Sequence, residues 1–298
     1  MKEKGFYDES EEACVINFKK HGYKGLGTAI ARYRNGTTSY LLRDVAAALE
    51  RSRKYSFDKM IYVVSAKQDS HFQQLFTTLK LMGYSDIANQ LQHVSFGKAQ
   101  GTSPKSGSGI LLGDMLEQCQ TTIHTLLEVD PEYTKEFQGG DSKVLEVLSA
   151  TALMVQDLSI KRGSSFTFDI EKIAIIDGHT GLNLQHWFAK LCSKLSGASI
   201  PRDELENADY TMFEQEEYAD VLRILIQFPH AVKSSFKLLE SSAILGYLFR
   251  LTDLLPFIWN EEEGEGSDQN PAELAFYESV RKVLENGMAL VGLVPIRV

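Results

Sequence analysis

Two short apolar runs separated by a helical stretch restrict this chain more than any other feature. Met60-Ile61-Tyr62-Val63-Val64 is rich in β-branched residues, the make-up of a buried strand. From His71 to Met82, residues Phe72, Leu75, Phe76, Leu79 and Leu81 recur at helical spacing, and His93-Val94-Ser95-Phe96 reads as a second strand. Strand, helix and strand at this pitch predict a parallel α/β sheet. Upstream, Cys14-Val15-Ile16-Asn17-Phe18 reads as a further strand. Tyr40 to Tyr55 reads as a helix with Leu42, Val45, Ala46, Ala48 and Leu49 on one broad face and basic residues in its last turn.

Beyond a loop rich in Gly, Ser and Lys from Gly97 to Gly109 the strand signals fade. Leu111 to Leu127, Ser142 to Leu158, Leu182 to Leu195 and the stretch from Tyr218 onward read as helices. Asp203 to Glu217 is an acidic connector, and Glu261 to Asn270 is an acidic, Gly-containing loop expected to be mobile. The predicted fold class is α/β followed by all-α. The boundary is placed near Gly178-Leu182, giving domains 1–180 and 181–298, and the second packs Leu222, Leu245, Leu248, Leu251, Phe257, Leu284, Met288 and Leu290 inside.

The composition is that of a globular protein, with 43% hydrophobic and 24% charged residues, which excludes a disordered or fibrous chain. No run reaches the length of a membrane span, and the charged opening Met1-Lys2-Glu3-Lys4-Gly5 is unlike a secretory signal. Three scattered cysteines, Cys14, Cys119 and Cys192, read as reduced thiols of an intracellular protein, and no metal-ligand spacing occurs. The net charge of −9 hides an asymmetry: from Ala13 to Ile110 basic residues outnumber acidic ones 14 to 5, and the acidic excess lies elsewhere. A basic block on an acidic protein suits a polyanionic partner met by one region, although uneven solvated surface explains the charge equally well.

Several segments carry a resemblance. Gly36-Thr37-Thr38-Ser39-Tyr40-Leu41-Leu42-Arg43-Asp44-Val45-Ala46-Ala47-Ala48 resembles a signature of arginyl-tRNA synthetases of the eukaryotic type. The likeness continues through Phe57-Asp58-Lys59-Met60-Ile61-Tyr62-Val63-Val64, Gln68-Asp69-Ser70-His71-Phe72, Gln92-His93-Val94-Ser95-Phe96-Gly97 and Gly178-His179-Thr180-Gly181. It ends with Asn286-Gly287-Met288-Ala289-Leu290-Val291-Gly292-Leu293-Val294-Pro295. It runs the length of the chain and covers the later half or so of the family's pattern. It implies a partial class I synthetase nucleotide-binding, Rossmann-like domain followed by a helical anticodon-binding-like bundle.

Taken alone, Tyr40 and Asp44 share one helix face at i, i+4, which is most often a surface or capping feature. The resemblance implies that Tyr40, Asp44 and Gln68 hold the guanidinium of arginine, for which a carboxylate offers a bidentate partner. It also implies nucleotide-binding roles for His71, Gly101 and Lys105. The segment Gly101-Thr102-Ser103-Pro104-Lys105-Ser106-Gly107 stands where the family carries its KMSKS-type loop, so Ser103 and Lys105 are the implied catalytic residues. Thr102, Pro104 and Ser106 depart from that pattern; without the resemblance the segment reads as a flexible linker. None of the seven His forms the family's His-x-Gly-His, and His21-Gly22 reads as a turn. His179, Leu182, Asn183 and Phe188 replace a usual Asp, Pro, Tyr and His. In the helical domain Tyr247, Trp259 and Tyr277 are implied stacking faces for tRNA bases, while core packing is the favoured reading for Phe249 and Phe257.

The implied function is that of an arginine–tRNA ligase homologue, using ATP with Mg2+ as substrate and no tightly bound cofactor. The alternatives are a non-activating paralogue that binds arginine or arginyl-tRNA, and a transferase that uses arginyl-tRNA in a small-molecule biosynthetic pathway. The implied partners are tRNA and arginine, with no membrane, for a cytoplasmic monomer.

Overall fold

The computed structural model describes residues 5, 7–10, 13–100, 111–129, 133, 136, 137, 141–197, 202–259 and 270–297. Contacts divide the chain into two units, residues 1–98 and 99–298.

The first unit opens with a three-stranded antiparallel sheet of β1 (Asp8–Ser10), β2 (Ala13–Asn17) and β3 (Thr28–Arg32). A single turn of 3-10 helix, Phe18–His21, follows β2 and is closed by Gly22 at φ 90°, a left-handed conformation that glycine adopts without steric cost. Helix α1 (Tyr40–Tyr55) is started by Ser39, whose side chain accepts from the Leu42 N–H. Then come β4 (Met60–Ser65), α2 (Asp69–Leu81), α3 (Ser85–Gln90) and β5 (Leu91–Phe96). β4 and β5 pair in parallel from Met60↔Leu91 to Ser65↔Phe96. Parallel pairing requires a crossover, and α2 with α3 supplies it. The core is Ile16, Phe18, Leu41, Val45, Ala48, Phe72, Leu75, Leu79 and their neighbours.

The second unit begins with β6 (Ala99–Gln100), which pairs in parallel with β7 (Phe166–Thr167). Its other described elements are helical: α4 (Leu112–Val129), α5 (Ser142–Leu158), α6 (Gly181–Lys194), α7 (Arg202–Glu206), α8 (Glu216–Leu225), α9 (Phe228–Leu238), α10 (Ser242–Thr252), α11 (Leu255–Ile258) and α12 (Pro271–Leu290), with short 3-10 turns between them. Thr180, where the sequence placed its boundary, is the N-cap of α6, its side chain accepting from the Asn183 N–H. Gly181 is required there, because a Cβ would lie 2.7 Å from the Thr151 carbonyl oxygen of α5. One core joins α6, α8, α10 and α12 through Leu184, Val221, Leu248 and Leu284. A second joins α4, α5 and α6 through Ile123, Leu148 and Leu182.

Two residues expected inside lie outside. Phe257 is 73% exposed because the single turn of α11 points Leu255 and Ile258 inward instead. Leu290 is 57% exposed as the last residue of α12. The acidic connector is partly ordered, holding α7 and a 3-10 turn at Thr211–Glu214. The expected Glu261 to Asn270 loop lies, up to residue 269, outside the described residues.

Candidate functional site

The first turns of α1 and α2 carry the candidate site, since these two helices pack together beside β4. Tyr40 is the first residue of α1 and is 75% exposed. Asp44 follows one turn later with its carboxylate half-exposed, and Oδ2 lies 2.7 Å from Nε2 of His71. Gln68 is exposed at the end of the 3-10 turn Ala66–Gln68, directly before α2 and beyond the C-terminal end of β4. Ligands of open α/β sheets bind at such strand ends. Thus Asp44 and His71 are brought into contact, with Tyr40 and Gln68 at the heads of the same two helices.

The surroundings set the electrostatics. Arg43 lies over the Tyr40 ring at 5.7 Å and donates from Nε to Thr38 Oγ1 at 3.1 Å. The Tyr62 hydroxyl of β4 is buried, and Arg51 is the one group of the described residues whose hydrogen bonding acts on it. Its phenol is held above the usual tyrosine value mainly by burial; the charge of Asp44 adds to that, and Arg51 opposes it. Sequence reasoning missed Tyr62 because it lies within a run that reads as plain strand. A buried hydroxyl at this place is a signal only the fold exposes. A half-exposed carboxylate of this kind can accept several N–H donors from a planar cation.

The other expected residues divide in two. Gly101, Ser103 and Lys105 lie outside the described residues. Tyr247 and Tyr277 are core residues, 1% and 0% exposed, so the expectation of stacking faces does not fit them. Their hydroxyls donate to Ile224 O at 3.1 Å and Ile258 O at 2.8 Å, and burial pushes the Tyr247 phenol up to about 12. Trp259 is half-buried, edge-on to Trp187 and Tyr277, with the Lys194 ammonium 5.4 Å from its ring centre. Phe249 is in the core and stacks on His179 at 4.7 Å. His179 Nε2 in turn lies 2.9 Å from Asp253 Oδ2. Cys119 is buried, which raises its thiol to about 11, while Cys14 and Cys192 are half-buried; all three are free thiols.

The model of the family "tRNA synthetases class I (R), catalytic domain" matches residues 1–170, and that of the "DALR anticodon binding domain" matches 184–297. The cytoplasmic arginine–tRNA ligase of Saccharomyces cerevisiae is 35% identical over 99% of this chain and 49% of its own length. The probable cytoplasmic enzyme of Schizosaccharomyces pombe is 34% identical over 97% of this chain and 47% of its own. A mitochondrial arginine–tRNA ligase of Saccharomyces cerevisiae is 31% identical. The arginyl-tRNA synthetase structure from Thermus thermophilus superposes with a TM-score of 0.81 at 16% identity, covering all of this chain and 56% of that one. The Plasmodium falciparum structure gives 0.77 at 20% identity, covering 99% and 50%. These two likenesses establish the fold, an α/β unit of synthetase type followed by a helical one. No described helix is long and apolar enough to cross a membrane. The chain spans about half the length of the curated relatives it matches. It belongs to the class I (R) tRNA synthetase family.

Proposed function

We propose that this chain works as an arginine–tRNA ligase homologue, its residues 1–180 forming the catalytic-like domain and 181–298 the anticodon-binding-like domain. The observation that carries this reading is the placing of Asp44 on α1, against His71 and one turn after the exposed Tyr40, with Gln68 at the head of α2. Asp44 takes the guanidinium of arginine through two charge-assisted hydrogen bonds, Tyr40 covers it, and Gln68 supplies an amide to the same ligand. ATP with Mg2+ enters as substrate, handled by Gly101, Ser103 and Lys105. tRNA meets the helical unit at Trp259, and Phe257 joins it as an aromatic exposed enough to stack a base. Location in the cytoplasm and a monomeric state complete the proposal.

A second reading, a non-activating paralogue that binds arginine or arginyl-tRNA, or else an arginyl-tRNA-using transferase in a small-molecule biosynthetic pathway, is favoured by one observation. Thr102, Pro104 and Ser106 depart from the loop that positions ATP, while Tyr40, Asp44 and Gln68 are all kept. Both readings need the arginine pocket, so titration calorimetry tests it first. Arginine is expected to bind and lysine far less, since only a planar guanidinium uses a carboxylate bidentately. Asp44→Asn should abolish the response, losing a charge-assisted contact worth about 1.5–3 kcal/mol. Equal heats from both amino acids, or from neither, would remove the assignment.

A further inference from the structure

Asp44 is not free to swing. Its Oδ2 meets His71 Nε2 at 2.7 Å, and the imidazole is the less exposed partner, at 25% against 47%. The imidazole is itself held. It packs edge-on against Phe72 with ring centres 5.5 Å apart and planes at 85°. Phe72 is buried and stacks on the His93 ring at 4.3 Å. His93 is tied from both ring nitrogens, Nε2 lying 3.0 Å from the Val64 carbonyl oxygen and Nδ1 3.2 Å from Asp69 Oδ1. A row of three rings therefore runs from His93 in the middle of β5 to one oxygen of Asp44. Rigid packing of this kind transmits position, because each ring rests on a neighbour that cannot rotate without losing contact.

We infer that His71 is the positioning residue for Asp44, fixing the plane in which that carboxylate presents itself to a guanidinium. This rests on arginine being the ligand of Asp44, and it gives His71 a role other than the nucleotide contact implied by resemblance. Nε2–H donates to one lone pair of Oδ2, and a carboxylate oxygen has a second to offer. The remaining lone pair of Oδ2 and those of Oδ1 then face the ligand together. Two parallel N–H bonds need that plane; an ammonium, a compact point charge with rotatable donors, does not. Loss of His71 should therefore cost arginine more than lysine, which general damage to the unit would not do.

Two variants of the full 298-residue chain separate these outcomes. His71→Phe keeps a ring against Phe72 and removes the donor, while His71→Gln keeps an amide donor. Calorimetry with arginine and with lysine is run on both and on the unmodified chain, with thermal melts alongside. The Phe variant is expected to lose roughly tenfold in arginine affinity with lysine binding unchanged, as loss of a charge-assisted hydrogen bond implies. The Gln variant should recover most of the arginine preference. A Phe variant that binds arginine as the unmodified chain does, or that loses arginine and lysine alike, overturns the inference, as does a folded Gln variant without recovery. If the unmodified chain itself shows no arginine preference, the pocket assignment fails, and the role of His71 fails with it. If it shows the preference and the variants keep it, His71 alone is refuted.

Discussion

Arg281 shows how much one side chain on α12 can organise. Its Nε and Nη2 donate to the two oxygens of Glu278 at 2.7 and 2.9 Å, and Nη1 donates to Glu285 at 2.8 Å. Glu278 is held below the usual carboxylate range chiefly by Arg281, and Glu285 chiefly by Arg297. Each carboxylate thus has a lower pKa folded than unfolded, so its stabilisation is complete above the ordinary value of 4.5 and is lost as pH falls below it. Glu278→Gln should therefore lower stability at pH 7 by about 1 kcal/mol, a figure reduced for partial exposure. Thermal unfolding at pH 7 and pH 3.5 checks this: the gap between variant and parent should shrink in acid, and a constant gap would sink the account. At the same scale, Asp44 and Tyr40 were legible because helical spacing puts them on one face and the family resemblance gives that face a ligand. The approach of His71 was not, since the pairing joins residues 27 positions apart.

Helix packing turns on two glycines that look alike in sequence. A Cβ at Gly181 would meet the Thr151 backbone oxygen at 2.7 Å, where α6 begins against α5. A Cβ at Gly287 of α12 would meet Leu248 Cδ2 of α10 at 2.5 Å, the far end of a flexible side chain. Backbone cannot step aside, whereas a leucine can change rotamer. Gly181→Ala should destabilise by about 1–3 kcal/mol, as overpacking does, and Gly287→Ala by less. Denaturant melts of both rank them; the reverse order would show that the α5–α6 approach yields more easily than its geometry says. Helices α5 and α6 were readable from apolar periodicity to within a residue. β1 and β3 were not, because an edge strand of three residues and a half-exposed one carry little pattern.

Charge distribution sets what the whole chain should do with RNA. The basic block spans most of the first unit, with Lys24, Lys59 and Lys67 exposed. Phosphate contacts add affinity without selecting a sequence, whereas stacking and base-edge contacts select and resist salt. Replacing these three lysines by Gln should weaken binding to cognate and unrelated tRNA alike, flattening the salt dependence by up to roughly one unit of slope per lost contact. Trp259→Ala should instead erase the preference for arginine-accepting tRNA and leave the slope alone. Filter binding at several salt concentrations distinguishes them, and a lysine variant that changes selectivity would contradict the division of labour. The same scale governs catalysis. The purified 298-residue chain, with no His-x-Gly-His among its seven His and a divergent loop around Lys105, should not exchange pyrophosphate into ATP on addition of arginine. Loss of even one preorganised group of that type costs about a hundredfold in rate. Robust exchange that vanishes in Lys105→Ala would refute this.

By itself the sequence determined the longer helices, the parallel pair built from Met60 to Val64 and His93 to Phe96, and the family, through motifs such as Gly36 to Ala48 and Gln68 to Phe72. Those are local properties: periodicity and contiguous motifs are carried by neighbouring residues. Which aromatics face inward was decided only by tertiary packing. Tyr247 and Tyr277 are core and Phe257 is surface, because a helix's inward face depends on what it is laid against. The Asp44–His71 contact and the buried Tyr62 hydroxyl were decided in the same way, since both require α1, β4 and α2 to meet.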